Sequence, residues 1–381
     1  MNIPLFKVFM SDNAIEAAAK VLRSGYIGQG SITEDFEKDL RAWFGEDLLV
    51  TTNSATSAEH IAIYLLKRPI KARNWPGWEV GDEMLATPLT CSATNTPAVT
   101  LGLRLKWVDI DPKTLGMDLD DLARKITPKT KIIFPVLWGG MSLDIERIEA
   151  ILDRAEEVIG FRPQIMYDCA HAMGTTYGGS PVCHYPGIFT YSLQAIKHVT
   201  SVEGGVLILH DEELWREARM VRWYGFDREV QGKDLRCEQP LRLVGFKMNQ
   251  VDPNSAIGRE NLKEARCILD RHLENALYYY DKLAKVSGIT LLDNPPWQDS
   301  SWWMFSMLVE DRSSFIASLA DHGIMASRVH ARNDRYIAFH EFRSILPSMD
   351  YVDPLYIAIP NGWWVSDEDR EYIVDVIKKG W

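Results

Sequence analysis

Short apolar runs alternate with helical stretches over residues 48 to 210, and this alternation restricts the possible folds more than any other feature. LLVTT (48–52) precedes the helical pattern SATSAEHIAIYLLK. The same order recurs in DEMLAT with a helix from about residue 91, LKWVDI with DLDDLARKI, and KIIFPVLW with LDIERIEAILDRAEEVI. Further strand-like runs are QIMYDCA (164–170), IFTYSL (188–193) and GVLILH (205–210). Since strands joined by helices form parallel sheets, the pattern predicts an α/β fold with a largely parallel sheet.

The composition changes after a polar, glycine-punctuated segment at 222–250. Beyond it, NSAIGRENLKEARCILDRHLENALYYYDKLAKV is typical of one long helix or two. Strand-like SWWMFSMLV, helical SSFIASLADHG and a final helix in EDREYIVDVIKKGW follow. We therefore predict a large domain at 1–245, with an N-terminal helical segment, and a smaller C-terminal α+β domain at 246–381.

Charge and composition exclude several classes of function. The net charge of -11 disfavours a nucleic-acid partner. Five cysteines without a C-x-x-C pair indicate a reduced, cytoplasmic chain. The sequence contains no run of eighteen apolar residues, so a membrane span is disfavoured. The histidines lack metal-ligand spacing, so we expect no metal. We interpret the thirteen tryptophans as core or interface residues.

Two stretches could hold an anion and a cationic ring. In TTNSATSAEH (51–60) a strand runs through small polar residues into a helix, whose N-terminus could bind phosphate. The alternative is that Asn53 or Ser54 only caps the helix. In MYDCAHAMG, Asp168 ends an apolar run, where a carboxylate could pair with a protonated ring nitrogen and His171 could lie against the ring. The alternative is a capping aspartate and a structural histidine.

A third stretch, SLQAIKHVTSVEGG, contains Lys197 between two strand-like segments. A desolvated lysine loses part of its charge and can attack a carbonyl to form a Schiff base. A surface charge is the usual role of a lysine. The order of a phosphate-capable helix start, a strand-end aspartate and a lysine favours the reactive role.

The chain resembles the sugar-nucleotide aminotransferases of the DegT/DnrJ/StrS family, which are fold-type-I enzymes that use pyridoxal 5'-phosphate. The resemblance covers nearly the whole chain and rests on the order of several motifs: SGYIGQGSITEDFEKDLRAWFG, NSATSA, PLTCSATNTPAVTLG, WVDIDP, YDCAHAMGTTYGG, YSLQAIKHVTSVEGG, GFKMNQVDPNSAIGRENL and ASRVHARND. It implies a mixed, mostly parallel seven-stranded sheet between helices, and a smaller C-terminal α+β domain.

The resemblance also implies roles for individual residues. Lys197 would form the Schiff base with the cofactor and move the proton between substrate and cofactor, Asp168 would pair with the ring nitrogen, and His171 would lie against the ring. The cofactor phosphate would contact Ser54, Ala55, Thr56 and Ser192. Lys247 falls where many members have an asparagine that reaches the phosphate of the neighbouring subunit, which implies a homodimer with shared active sites. His330 and Arg332 are candidates for substrate contacts, with surface or packing roles as the alternative. Cys91 stands where the family commonly has an aromatic residue.

The predicted activity is transfer of an amino group from L-glutamate to a nucleotide-linked keto-deoxysugar, through pyridoxamine 5'-phosphate, to make an amino sugar. A 4-keto-6-deoxyhexose is the favoured substrate, and the enzyme is expected to be similar to GDP-perosamine synthase. The alternatives are a 3-keto sugar-nucleotide aminotransferase, a cofactor-dependent sugar dehydratase with histidine at the Schiff-base position, and a non-catalytic cofactor-binding regulator.

Overall fold

The computed structural model describes residues 2–70, 74–229 and 240–381. Residues 230–239 of the polar segment, Cys237 among them, lie outside the described residues. The helices are α1 (Asp12–Ser24), α2 (Ser31–Phe44), α3 (Ala55–Leu65), α4 (Ser92–Leu101), α5 (Leu119–Lys125), α6 (Ile145–Ile159), α7 (Glu212–Val221), α8 (Asp252–Leu262), α9 (Ala265–Leu283), α10 (Arg312–Asp321), α11 (Pro347–Val352) and α12 (Asp367–Lys378). The strands are β1 (Leu49–Thr52), β2 (Glu83–Ala86), β3 (Arg104–Trp107), β4 (Thr130–Phe134), β5 (Gln164–Asp168), β6 (Thr176–Tyr177), β7 (Ser180–Pro181), β8 (Ile188–Ser192), β9 (Gly205–Ile208), β10 (Ile289–Leu291), β11 (Gln298–Asp299), β12 (Phe305–Val309) and β13 (Tyr356–Ile359).

Within the described residues, the central sheet has seven strands in the order β1-β9-β8-β5-β4-β2-β3. Strand β9 is antiparallel to both of its neighbours, and the other neighbouring pairs are parallel. Helices α4, α5 and α6 connect β2, β3, β4 and β5 in turn, whereas the segment between β5 and β8 contains the short strands β6 and β7. Strands β8 and β9 are joined by residues 193–204 without a helix, so that the chain reverses. The prediction of a mixed, mostly parallel seven-stranded sheet is confirmed.

Successive strand residues point to opposite faces, and each face has its own buried core. On β4, Ile132 and Phe134 belong to one apolar cluster, while Ile133 between them belongs to the other. The first cluster includes Ile61, Ala62 and Leu65 of α3, and the second includes Ile145, Ile148 and Leu152 of α6. The sheet therefore lies between two helical layers, as predicted.

The C-terminal part contains an antiparallel sheet of three strands, in the order β10-β12-β13. Helix α9 packs against β10, α12 packs against α9, and α10 packs against α12, so this part has the α+β composition that the sequence indicated. The stretch read as one helix or two forms α8 and α9, which are separate helices divided at Lys263 and Glu264. In the part of the chain that is described, no helix is both long and apolar enough to cross a membrane.

Candidate active site

The carboxyl ends of β1, β5 and β8 lie at one edge of the central sheet, because these strands run in the same direction. Asp168 is the last residue of β5, and Ser192 is the last residue of β8. The residues just after β1 begin α3, and the loop from Leu193 carries Lys197. Parallel α/β sheets bind their ligands at this edge. The fold thus places the predicted site residues of the large domain together.

The start of α3 packs closely against Gly205, the first residue of β9. Ser54 is the N-cap, and its side chain accepts a hydrogen bond from Ser57 N at 3.1 Å. Gly205 pairs with Ser192 across β8 and β9, and a Cβ at Gly205 would lie 2.3 Å from the carbonyl carbon and oxygen of Ser54 and 2.5 Å from Ala55 N. Only glycine fits this contact. The first amides of a helix lack intrahelical acceptors, so those of Ala55 and Thr56 are available to an anion.

Asp168 is buried and held by two donors. Ala170 N donates to Oδ1 at 2.9 Å, and Thr94 Oγ1 donates to Oδ2 at 2.7 Å. Burial raises the pKa of Asp168, while these two hydrogen bonds and the charge of Lys197 oppose that rise. A carboxylate fixed in this way can pair with a protonated ring nitrogen.

Lys197 is half-buried in the folded chain. Its Nζ lies 3.5 Å from the centroid of the Trp303 ring. Burial lowers the pKa of the Lys197 ammonium from 10.5 to about 7, although Asp168 and Cys91 act to raise it. Near neutral pH a substantial fraction of the molecules therefore carries the neutral amine, which is the form that attacks a carbonyl.

His171 stacks on Trp303, with ring centroids 4.0 Å apart and an interplanar angle of 18°. His330 lies parallel to His171 at 5.9 Å, and Trp138 contacts both rings edge-on. Gly139 N donates to His171 Nδ1 at 3.3 Å. Burial, followed by the charge of Lys197, lowers the pKa of His171 well below its usual value and that of His330 to about 4. Both rings are therefore neutral at neutral pH.

An unusual backbone conformation brings Trp303 to the lysine. Trp302 has φ of 48°, in the left-handed region that costs a bulky residue about 1–3 kcal/mol. Its carbonyl accepts hydrogen bonds from His272 Nδ1 at 2.8 Å and Asn361 Nδ2 at 2.7 Å. Trp303 Nε1 donates to Ile196 O at 2.9 Å, next to the lysine. These contacts hold the indole against Lys197.

His198 points away from this site. Its Nε2 donates to Ser301 O at 2.9 Å, and its ring contacts that of His272 at 4.6 Å. Burial lowers the pKa of His198 well below its usual value. The lysine, and not the adjacent histidine, thus lies beside Asp168.

Two other predicted residues lie in polar contacts of their own. Lys247 Nζ donates to Asn249 Oδ1 at 2.7 Å and lies 5.5 Å from the Trp223 ring centroid. Arg332 is 4% exposed and donates through Nε and Nη2 to both carboxylate oxygens of Asp334, each at 2.7 Å. The His330 ring is thus next to His171, whereas the guanidinium of Arg332 binds carboxylates of its own chain.

Several residues near the site were not identified from the sequence: Glu59, Thr94, Trp303 and Asn333. The Asn333 side chain donates through Nδ2 to Thr90 O at 2.6 Å, and its backbone N donates to Pro88 O at 2.7 Å. These hydrogen bonds connect the C-terminal part to the loop before α4. Glu59 had a signal in the sequence, since it is an acid on the apolar stripe of a helix. For Thr94, Trp303 and Asn333 no local pattern indicates the contact.

The fold and the lysine beside a strand-end aspartate define a fold-type-I enzyme that uses pyridoxal 5'-phosphate. Residues 9–378 match the model of the DegT/DnrJ/EryC1/StrS aminotransferase family, and the chain belongs to that family. It is a sugar aminotransferase, which confirms the predicted reaction class and cofactor.

Individual relatives agree with this assignment. The chain shares 41% sequence identity with AtS13 from Actinomadura melliaura, and its structure matches the crystal structure of that protein with a TM-score of 0.94 over 100% of this chain and 99% of that one. The sugar aminotransferase CalS13 from Micromonospora echinospora is 36% identical, with a TM-score of 0.94 over the whole of both chains. The UDP-4-amino-4-deoxy-L-arabinose–oxoglutarate aminotransferase of Shewanella sediminis (strain HAW-EB3) is 31% identical over 336 residues, which cover 85% of this chain and 82% of the relative.

The residues present fit the cofactor. The surface at Ser54 and Gly205 admits no Cβ, and buried polar atoms near Lys197 and Asp168 lack a partner among the described residues, namely His330 Nε2 and Glu59 Oε2. The amine of Lys197 and the carboxyl of Asp168 lie in the same region, since each acts on the charge of the other. The amides at the start of α3, the Asp168 carboxyl and the Lys197 amine suit, in that order, the phosphate, the cationic ring nitrogen and the Schiff-base carbon of the cofactor.

Proposed function

We propose that the enzyme moves an amino group from L-glutamate to the keto carbon of a nucleotide-linked 4-keto-6-deoxyhexose, with a GDP-linked sugar of the perosamine type as the first substrate to test. The Shewanella relative is named for a 4-amino sugar nucleotide and for oxoglutarate, the keto acid formed from glutamate. That name supports both the 4-keto position and the amino donor. The 3-keto sugar-nucleotide aminotransferase is the second candidate.

The observation that carries the proposal is the buried Lys197 amine, whose pKa burial lowers to about 7. Bound pyridoxal phosphate supplies an electron sink for the carbanion formed when the amino donor loses its α proton. We propose that Lys197 holds the cofactor in the resting enzyme, and then takes that proton and returns it at the other carbon. The Trp303 face beside Nζ excludes water from the transfer.

The other site residues are proposed to bind and orient. Asp168, fixed by Thr94 and Ala170, keeps the ring nitrogen protonated. The amides at the start of α3 bind the phosphate, together with the hydroxyls of Ser54, Thr56 and Ser192. His171, held neutral in its stack on Trp303, contacts the ring face.

The orientation of His198 supports an aminotransferase over a sugar dehydratase. The dehydratase reading requires a histidine at the Schiff-base position, and the His198 ring is bonded to Ser301 O instead. The non-catalytic regulator would bind the cofactor without exchanging its amino group. An intact set of lysine, aspartate and histidine supports catalysis instead.

The test is the visible absorbance of the purified chain with pyridoxal phosphate, before and after L-glutamate. We expect a band from the lysine-bound cofactor that glutamate removes, with release of 2-oxoglutarate. Lys197→Ala should abolish both the band and turnover, whereas Lys38→Ala, which removes an exposed amine on α2, should change neither. A band that glutamate leaves unchanged would refute glutamate as donor, and an active Lys197→Ala variant would refute the assignment.

We also propose a cytoplasmic homodimer in which Lys247 reaches the cofactor phosphate of the partner. The segment of Lys247 runs beside the start of α3, since Asn53 N donates to Met248 O at 2.9 Å. This places Lys247 near the start of α3 of its own chain, and the contact to the partner is proposed from the position of Lys247 in the family resemblance. Sedimentation of the full chain, with a mass near twice 43.5 kDa expected, tests the dimer.

A further inference from the structure

Two buried hydroxyl groups form a chain that ends on the Asp168 carboxyl. Thr94, the third residue of α4, donates from Oγ1 to Asp168 Oδ2 at 2.7 Å. Thr90, in the loop between β2 and α4, has its Oγ1 2.8 Å from Thr94 Oγ1. Thr90 is 1% exposed and Thr94 is 2% exposed. Bulk water therefore does not compete for these hydrogen bonds, and the low local dielectric strengthens them.

The hydrogens of this chain have one direction. A hydroxyl has a single hydrogen to donate, and that of Thr94 is directed at Asp168. The hydrogen between the two threonines therefore comes from Thr90. Donation by Thr90 polarises the Thr94 hydroxyl and makes it a stronger donor, by about 10–30% for each bond in a chain. Donors to a carboxylate favour its ionised form, so both threonines act to keep Asp168 charged.

The C-terminal part of the chain fixes the positions of both threonines. Asn333 Nδ2 donates to Thr90 O at 2.6 Å, and Asn333 Oδ1 accepts from Asn95 Nδ2 at 3.1 Å. Asn95 directly follows Thr94 on α4, and both asparagines are fully buried. One buried side chain thus holds the loop of Thr90 and the first turn of α4 together, which keeps the two hydroxyls within hydrogen-bonding distance.

We propose that Thr90 and Thr94 are positioning residues, whose hydroxyl chain holds Asp168 as an ionised acceptor and so keeps the shared proton on the cofactor ring nitrogen. The inference rests on the proposed role of Asp168 in the function above. It extends the site to Thr90, whose hydroxyl reaches the carboxylate through that of Thr94. A protonated ring nitrogen withdraws electrons, so the two hydroxyls set how well the bound cofactor stabilises a substrate carbanion.

Single substitutions remove one hydroxyl at a time. Thr94→Val and Thr90→Val keep the branched shape of the side chain and lose the hydroxyl, whereas Thr94→Ser keeps the hydroxyl and loses the methyl group. Thr96→Val is the matched control, because Thr96 is exposed on α4 and its Oγ1 donates to Ser92 O of its own helix at 2.8 Å. If Thr94→Val is not recovered as folded protein, Thr94→Ala takes its place.

The measurement is the nitrogen-15 chemical shift of ring-labelled pyridoxal phosphate bound to the full chain at pH 8. Free cofactor in acid and in base gives the limits for the protonated and the neutral nitrogen. Loss of a hydrogen bond to a charged group should lower the ratio of protonated to neutral nitrogen by about tenfold in Thr94→Val. Thr90→Val, which removes only the polarising bond, should lower that ratio by about two- to threefold. Thr94→Ser and Thr96→Val should match wild type.

A signal in Thr94→Val or in Thr90→Val that equals the wild-type signal would overturn the proposal, since the carboxylate would then not depend on the chain. A signal that moves as far in Thr94→Ser as in Thr94→Val would also overturn it, because packing and not the hydroxyl would be responsible. A wild-type chain whose bound cofactor has a neutral ring nitrogen would refute the proposed role of Asp168, and the inference would fall with that role. A chain that binds no pyridoxal phosphate would refute the proposed function as a whole.

Discussion

Lys197→Met should stabilise the cofactor-free chain in a way that depends on pH. Burial lowers the pKa of the lysine from 10.5 to about 7 in the folded chain. Between these pH values the unfolded chain binds a proton that the folded chain does not, so stability rises with pH there. Above pH 10.5 the lysine is neutral in both states and costs the folded chain nothing. The cost to the free energy of unfolding grows as the pH falls toward 7 and changes no further below about pH 7.

The magnitude follows from the two pKa values. At about 1.4 kcal/mol for each pH unit, the lysine costs the folded chain about 4 kcal/mol at pH 7 and about 2 kcal/mol at pH 9. Methionine has a similar length and no charge, so Lys197→Met removes this pH-dependent cost. We expect the free energy of unfolding of the variant to exceed that of wild type by these amounts, apart from a constant packing difference.

Urea unfolding of both cofactor-free proteins at pH 7, 8 and 9 measures the effect, with Lys38→Met as an exposed control on α2. A difference between Lys197→Met and wild type that is the same at all three pH values would refute the reasoning. The lysine would then be charged in the folded chain, and the proposed nucleophile would need another source of activation.

Two further substitutions test the close backbone contact at Gly205 and the buried ion pair of Glu37. Gly205→Ala would place a Cβ 2.3 Å from backbone atoms of Ser54, so we expect about tenfold or greater loss of pyridoxal phosphate affinity and about 1–3 kcal/mol of stability, whereas Gly28→Ala, with open space around it, should change neither. Glu37→Gln removes a carboxylate from the buried pair with Arg222 and should cost about 3–5 kcal/mol in urea unfolding at pH 7. Burial opposes ionisation of Glu37, but the charge and hydrogen bonds of its partners lower its pKa below 4.5. The stabilisation is therefore present above pH 4.5 and is lost as the pH falls through the lowered pKa. A stability difference between wild type and Glu37→Gln that is as large at pH 3 as at pH 7 would contradict that sign.

The sequence by itself determined the architecture of the large domain. Each predicted strand of the central sheet lies within two residues of an observed one at its start, because periodic apolar spacing is a local property of the chain. The helix start at Ser54, the strand-end Asp168 and the loop with Lys197 were also read from local patterns. Their meeting at one edge follows from the common direction of parallel strands.

Only the tertiary structure decided what surrounds the reactive groups. Trp303 reaches Lys197 from 106 positions along the chain, and His198 turns toward Ser301, a residue 103 positions away. Glu59 of α3 is buried, and the charge of Asp168, at the end of β5, helps to raise its pKa. Burial, pKa and free hydrogen-bonding capacity depend on such distant neighbours, and no local spacing specifies them. For this reason the sequence identified the lysine, whereas only the fold showed how its amine becomes neutral.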